Sequence, residues 1–354
     1  MSVPSGSQQE VALAGPSPSS NVVLMAAPWS VLGWAAGRLQ IGLVIVVTVG
    51  VLLSLAHWAG TTDVASLVRD LSARSLLVAA LLTLTLPVSH AWRLQAALAA
   101  ANHRLKFGRA LRLTLAVWPI SSLTPAKSGD LAKAYYLRNE IPVTVTAGAL
   151  LAERAVDLAV WGALSLAGSL AFRQTIIALF SAAVLGGIFT FIFVLAPRAE
   201  RLPIPAAWRD RLRLLLWSAR SIAQRPRLLV VMVGLTLINC ATTVLVTAVL
   251  FEAVGVSVPL AFVTAAILPA MFAGLLPFTL AGMGTRDSVL IIVFAAYASA
   301  AQSLSVGLLY AFFFRWLLSL LGLPLLQQLG KAVPSHDLAW RSSGLPHADA
   351  RTDA

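Results

Sequence analysis

The chain is short of charge. Only 11% of its 354 residues are Asp, Glu, Lys or Arg, where a water-soluble domain carries about a quarter. That deficit excludes a globular protein whose whole surface faces water. One cysteine, Cys240, is present, so an intrachain disulfide and a thiolate metal cluster are both excluded. The five histidines, His57, His90, His103, His336 and His347, lack metal-ligand spacing. No Gly-x-Ser-x-Gly elbow, phosphate-binding loop, His-Glu-x-x-His pair or acidic cluster in a polar region is found. The expectation is a protein that is not an enzyme, that uses no cofactor or metal, and that is not an ATP-driven pump.

What the chain does have is apolar sequence. Hydrophobic residues make up 58% of it and the mean hydropathy is +0.84. The fold class expected is an all-α polytopic membrane protein with about seven to nine hydrophobic helices. Net charge is +12 and the pI near 11.1. In a soluble protein that balance suggests nucleic acid. Here the cations fall between apolar runs, which points to basic cytoplasmic loops facing anionic headgroups, with no nucleic-acid partner.

Three regions are expected: a disordered or interfacial N-terminal tail over 1–37, whose apolar part 21–37 could lie on the membrane surface, a membrane domain over 38–330 and a disordered polar tail over 331–354. The first 37 residues lack a basic segment ahead of a short apolar core, so no cleaved signal peptide is expected. A span needs about 20 apolar residues. Leu39–Trp58, Leu76–Leu98, Val143–Ala171, Thr175–Ala196, Leu228–Val254, Ser288–Ala301 and Leu304–Leu326 are candidates. Two segments, Ala110–Leu123 and Pro259–Leu276, are shorter and contain Pro119 and Pro269. The stretch from Pro197 to Arg227 carries eight arginines against Glu200 and Asp210 and is expected to be a cytoplasmic loop, as is the basic loop around Arg93, Arg104, Lys106, Arg109 and Arg112.

Two basic loops on one side require an even number of crossings between them. Ala110–Leu123 is therefore read as re-entrant, and Pro259–Leu276 as its counterpart. Paired interrupted segments in corresponding halves point to a transporter-type site. Grouping 76–196 against 228–326 gives each half three spans and one broken segment, an inverted repeat; this count puts the C-terminus outside, whereas a full crossing by 259–276 would put it inside, the side Lys331 favours.

Ionised residues inside the bilayer need a reason to be there. Glu153, Arg154 and Asp157 share one stretch of a span. They are either a self-neutralising bridge or a charged wall. Lys127, Gly129, Asp130 and Lys133 follow the first break. A helix starting near Asp130 would aim its N–H groups at an anion; the plain alternative is a capped turn. Gly282, Gly284, Arg286 and Asp287 close the second break, with Asp287 as cap and Arg286 as interface anchor the plain alternative. Arg315 lies mid-span, with Glu153, Asp157 or Asp287 as candidate partners. His90 and Arg93 are expected to snorkel from a helix end.

This pattern resembles the lysylphosphatidylglycerol synthase transmembrane-region family, also called flippase-like. The resemblance rests on Trp92-Arg93, on Pro125, Gly129, Asp130 and Lys133, on Glu153-Arg154 with Asp157, on Pro277, Gly282, Gly284, Arg286 and Asp287, and on Arg315. It covers residues 38–330. Ala126, Lys127 and Ser128 stand where the family often has small residues or glycine. The resemblance implies a multi-pass protein of the plasma membrane, the inner membrane in bacteria. Its partner would be a membrane lipid with an anionic or polyprenyl-phosphate headgroup. The function it implies is a lipid flippase or lipid transporter, the alternative being a non-transporting accessory protein for a lipid or glycan enzyme. The candidate headgroup site comprises Lys127, Gly129, Asp130, Lys133, Glu153, Arg154, Asp157, Gly282, Gly284, Arg286, Asp287 and Arg315.

Overall fold

A computed structural model describes residues 46–60, 64, 66–67, 71–190, 198, 206–274, 279 and 282–332. The chain divides into two units, Met1–Val46 and Val47–Ala354, and the bundle described below belongs to the second. Among the described residues it is helical, with no strand. The tails expected over 1–37 and beyond Ala332 lie outside the described residues.

The helices are α1 (Val46–Ala59); α2, made of Ala73–Thr83 and Thr85–Ala100 joined at Leu84; α3 (Phe107–Leu123); a 3₁₀ stretch Pro125–Leu131 leading into the short α4 (Ala132–Tyr136); α5 (Val143–Ala171); α6 (Thr175–Thr190); α7 (Ala206–Ser221); α8 (Pro226–Ala253); α9 (Leu260–Ala273); α10 (Thr285–Val293); and α11, which joins Ala300–Ala311 to Leu318–Ala332 through a π-helical stretch, Phe312–Leu317. Three helices, over Ala73–Ala100, Pro226–Ala253 and Ala300–Leu329, are long and apolar enough to cross a bilayer. α5 is as long, with 29 residues, but carries Glu153, Arg154 and Asp157.

Long helix, broken hairpin, long helix is the order of α2, α3–α4 and α5, and again of α8, α9–α10 and α11. Both hairpins form because a glycine lets the returning chain lie on the end of the helix it has just left. A Cβ on Gly129 would stand 2.7 Å from the Ile120 carbonyl carbon, and the Gly129 N–H donates to Thr124 Oγ1 at 2.8 Å. Gly282, at φ +75, packs its missing Cβ against the Gly274 backbone in the same way. α3 has 17 residues, about 25 Å of rise, less than the roughly 30 Å hydrocarbon core.

Each hairpin then packs on the other half. Gly322 of α11 lies under the Leu115 carbonyl and Pro119 Cδ of α3, and Gly168 of α5 lies against Ala265 of α9. Small residues at such crossings let backbones approach where lipid offers no hydrophobic drive between helices. At the centre α2 meets α8 through Ser89 Oγ, which donates to Asn239 Oδ1, and through the Thr85–Thr242 hydroxyl pair at 3.1 Å.

The two ends of the bundle differ in charge. At one end Arg225 Nη1 donates to the Ala99 carbonyl at 2.8 Å, joining the close of α2 to the start of α8 beside Arg104, Lys106, Arg109 and Arg112. The other end is aromatic, with Phe172–Phe262 and Phe251–Phe294 ring centroids 5.4 and 4.7 Å apart. The basic end carries the charge bias of a cytoplasmic face. α3 enters from it and α9 from the aromatic end.

Three expectations are corrected. The arginine-rich stretch is not merely a loop: Ala206–Ser221 is a helix docked on α5, where Ser218 Oγ donates to the Val145 carbonyl at 2.7 Å and Leu215 and Ser218 press on Gly148. Ser288–Ala301 is not a span: α10 ends at Val293, and Ser299 starts α11 in a capping box with Gln302. α10 has nine residues, about 13 Å of rise. The second half therefore crosses twice, by α8 and α11. That returns Ala332 to the basic end rather than outside, because the hairpin adds no net crossing.

Candidate functional site

Arg93 is the centre of the first charged cluster. It is 1% exposed, and its Nη2 lies 2.5 Å from Asp157 Oδ1 and 3.5 Å from Glu153 Oε1. The same nitrogen donates to the Glu153 carbonyl at 3.1 Å. Glu153 and Asp157 are one helical turn apart on α5, so one guanidinium from α2 meets both. Three residues before Arg93, on the same side of α2, His90 Nδ1 lies 3.1 Å from Glu153 Oε1. The expectation that His90 and Arg93 snorkel is therefore overturned. α2 continues to Ala100 and keeps Arg93 well inside the bundle.

Asp130 brings in the first hairpin. It pairs with Arg154 of α5, accepts from Ser121 Oγ at 2.6 Å and stands 3.6 Å from Lys133 Nζ. Arg154 Nη1 also reaches Asp157 Oδ2 at 3.5 Å. The cluster holds Arg93, Lys133 and Arg154 against Asp130, Glu153 and Asp157, so its formal charges balance with His90 neutral. Burial is graded: Glu153 and Lys133 are buried, while the Arg154 side chain is 34% exposed and forms the outer edge. Asp130 sits within the 3₁₀ stretch and α4 has five residues. The expected helix N-terminus aimed at an anion is thus replaced by a carboxylate holding a guanidinium. Lys127 lies on that stretch, and its side chain is outside the described residues.

The second hairpin carries its own pair. Arg286 donates to Asp287 Oδ1 through Nε at 2.9 Å and Nη2 at 2.5 Å, and Nη2 also donates to the Gly307 carbonyl at 2.7 Å. The Gly284 N–H, from a residue at φ +94, donates to Asp287 Oδ2 at 3.0 Å. Asp287 is therefore the cap, as its plain reading had it. Arg286 is 2% exposed and so is no interface anchor; its guanidinium lies 4.8 Å from the Tyr310 ring centroid. Gly307 has no Cβ because Asp287 Oδ1 occupies that space.

The candidate residues thus fall into two groups rather than one. Between them stands Arg315, on the π-helical stretch and half-buried. It has no ion pair or hydrogen bond among the described residues, so Glu153, Asp157 and Asp287 are not its partners. Arg286, Asp130 and Arg154 all lie within electrostatic range of it. A π-helical turn frees carbonyls from the usual ladder, and Trp118 Nε1 of α3 donates to the Phe314 carbonyl at 3.0 Å. The Trp118 ring meets His90 edge-on at 5.6 Å, which ties the first cluster to Arg315's segment.

Sequence reasoning missed Ser121, Trp118, Gly307 and Tyr310, and underrated Arg93. The usable signal was the His90–Arg93 spacing, which puts two polar side chains on one side of an otherwise apolar helix. Glu153 Oε2 and Arg93 Nε are buried with no partner among the described residues, and each could take a further hydrogen bond. Among the described residues, no group of His, Cys, Asp and Glu is placed to hold a metal.

Comparison with known proteins gives one family. A family model described as "Lysylphosphatidylglycerol synthase TM region" matches residues 39–322. No curated protein matches the chain.

Proposed function

The chain belongs to the lysylphosphatidylglycerol synthase TM region family, and from that premise we propose that it moves a phosphate-bearing lipid, a phospholipid or a polyprenyl phosphate, between the leaflets of a bacterial inner membrane. It is a multi-pass membrane protein. The observation that carries the reading is Arg315, a mid-bundle cation without a carboxylate partner among the described residues, set between two hairpins that enter from opposite ends. A half-buried cation inside the bilayer whose side chain makes no ion pair is costly, and a lipid phosphate would supply its counter-ion.

In this reading Arg315 receives the phosphate. Arg154, the exposed edge of the first cluster, passes it on, with Lys127 and Lys133 adding positive potential. Glu153, Asp157 and Asp130 hold the cations in place. Gly129, Gly282 and Gly284 let the hairpins fold, and Arg286 with Asp287 anchors the second one. Acyl chains stay in the bilayer, so only the headgroup needs a polar path.

One observation favours the alternative, a non-transporting accessory protein: the charges of the first cluster balance internally, as structural pairs would. The test is reconstitution of the full chain in phosphatidylcholine vesicles with fluorescent phosphatidylglycerol and a membrane-impermeant quencher. A transporter renders inner-leaflet lipid accessible, and Arg315→Gln, still folded, slows this at least tenfold. Wild-type protein that is folded yet no faster than empty vesicles sinks the transport reading. Neutralising the Arg154–Asp130 pair together, Arg154→Gln with Asp130→Asn, then separates the two: an accessory protein keeps stability and partner function together, a transporter keeps stability alone.

A further inference from the structure

A second place on the molecule carries chemistry that the charged clusters do not use. A pocket of about 490 Å³ opens at the basic end, lined by Lys106, Arg109, Arg112, Leu113, Leu137 and Leu329 among others. Its size is within the range of ligand sites, roughly 300–1,000 Å³. The three cations recur every third residue from the start of α3, so they run down one side of its first two turns. Arg109 is matched by Glu140, with Nη1 to Oε2 at 2.8 Å and Nη2 to Oε1 at 2.5 Å. Lys106 and Arg112 have no ion pair among the described residues, and no acidic side chain lines the pocket.

We propose that this pocket binds an anionic phospholipid of the cytoplasmic leaflet, with Lys106 and Arg112 on the phosphate and an acyl chain along Leu113, Leu137 and Leu329. The walls decide between a lipid and a soluble anion. A hydrated ion gains nothing from three leucines, whereas an amphiphile satisfies both the cations and the apolar floor. The location agrees. Lys106 lies at the end of the bundle whose arginines mark it as cytoplasmic, where anionic lipid is attracted by basic residues near the surface. Leu113 belongs to α3, Leu137 follows α4 and Leu329 ends α11, so a bound lipid braces the base of the first hairpin against the last helix. The site stands whether or not the protein transports lipid.

The test uses the full chain in mild detergent, titrated with dioleoyl-phosphatidylglycerol and followed by native mass spectrometry and thermal unfolding. Wild-type protein is expected to retain phosphatidylglycerol over phosphatidylcholine and to melt higher in its presence. Lys106→Gln with Arg112→Gln should weaken retention about 30-fold, roughly fivefold for each cation. Gly108→Trp supplies a second variant. Gly108 itself lines the pocket and nothing lies within 4 Å of a Cβ built on it, so an indole there has room to fill the pocket with every charge kept, and retention should fall as well. The proposal is overturned if either variant, folded, holds phosphatidylglycerol as wild type does. Equal retention of phosphatidylcholine overturns it too. So does full displacement by millimolar inorganic phosphate, which would mark a soluble-anion site. Loss of lipid movement in vesicles, by contrast, leaves this result unaffected.

Discussion

Ser89 Oγ donates to Asn239 Oδ1 at the crossing of α2 and α8, and the two residues are 150 positions apart. The same interval separates Leu115 from Ala265, through which each hairpin packs on the opposite half, and Pro119 from Pro269, the prolines inside α3 and α9. If the two halves are repeated units, Ser89 and Asn239 are equivalent positions that meet where α2 crosses α8. In that register the side chains differ, Ser against Asn at the crossing and Arg93 against Thr243 further along.

That equivalence predicts a rescue. Ser89→Ala removes the donor and should cost about 1 kcal/mol, the scale of interhelical hydrogen bonds in membrane proteins. The exchanged variant, Ser89→Asn with Asn239→Ser, places the same two groups at the same crossing and should recover most of that loss. Thermal unfolding in detergent reads both. An exchanged variant no more stable than the worse single one would show that the two positions are not interchangeable.

Arg93 should be the least replaceable cation. Arg93→Met leaves Glu153 and Asp157 facing each other without their shared guanidinium, and breaking a buried pair in this way costs roughly 3–5 kcal/mol. Adding Glu153→Gln and Asp157→Asn removes the stranded charge and should restore much of the folded yield. If Arg93→Met alone expresses and melts like wild type, Arg93 is not the element holding α2 to α5.

The glycine crossings make a sharper contrast. Gly322→Val drives two methyls into the Leu115 carbonyl, and Gly168→Val does the same at Ala265. Overpacking of this kind costs about 1–3 kcal/mol or more, and because backbone cannot step aside the upper end is expected. Gly234 has open space at its Cβ, so Gly234→Val should be nearly silent. A fluorescence size-exclusion profile of all three separates packing from a general intolerance of valine.

Much of this architecture was legible before any coordinates. The apolar runs gave the helices. The two proline-containing segments ending in glycine and charge gave the hairpins, because only interrupted backbone needs both residues. Glu153, Arg154 and Asp157 announced themselves as charges inside a span. What could not be read was partnership. Arg93 looked like a snorkelling end residue because the close of α2 was placed at Leu98, and a residue five positions from a helix end can reach water. For Arg315 the sequence offers water or one of Glu153, Asp157 and Asp287 without choosing among them, since it does not reveal that the helix winds locally as a π-turn. The Ser288–Ala301 error was avoidable: Ser299-Ala-Ala-Gln302 is a capping box, and a helix start inside a supposed span forbids the span. The arginine-rich segment was read for topology alone, although leucines and tryptophans spaced among its arginines are the mark of a helix lying on a surface.

The topology itself is the most exposed claim, and cysteine labelling decides it. The only native cysteine, Cys240, is buried, so a Cys240→Ser background gives a clean start. Gly108→Cys, at the entry of the first hairpin, should react with an impermeant maleimide only after cells are opened. Leu260→Cys, at the entry of the second, is half exposed at 50% and should react on intact cells. Gln328→Cys, near the close of α11, should behave like Gly108, because among the described residues α8 and α11 are the net crossings after the basic segment. Labelling of positions 108 and 260 from the same side would make the two hairpins parallel rather than inverted. It would also dissolve the arrangement that leaves Arg315 between them, since two hairpins entering from one face cannot meet a mid-bundle cation from opposite directions.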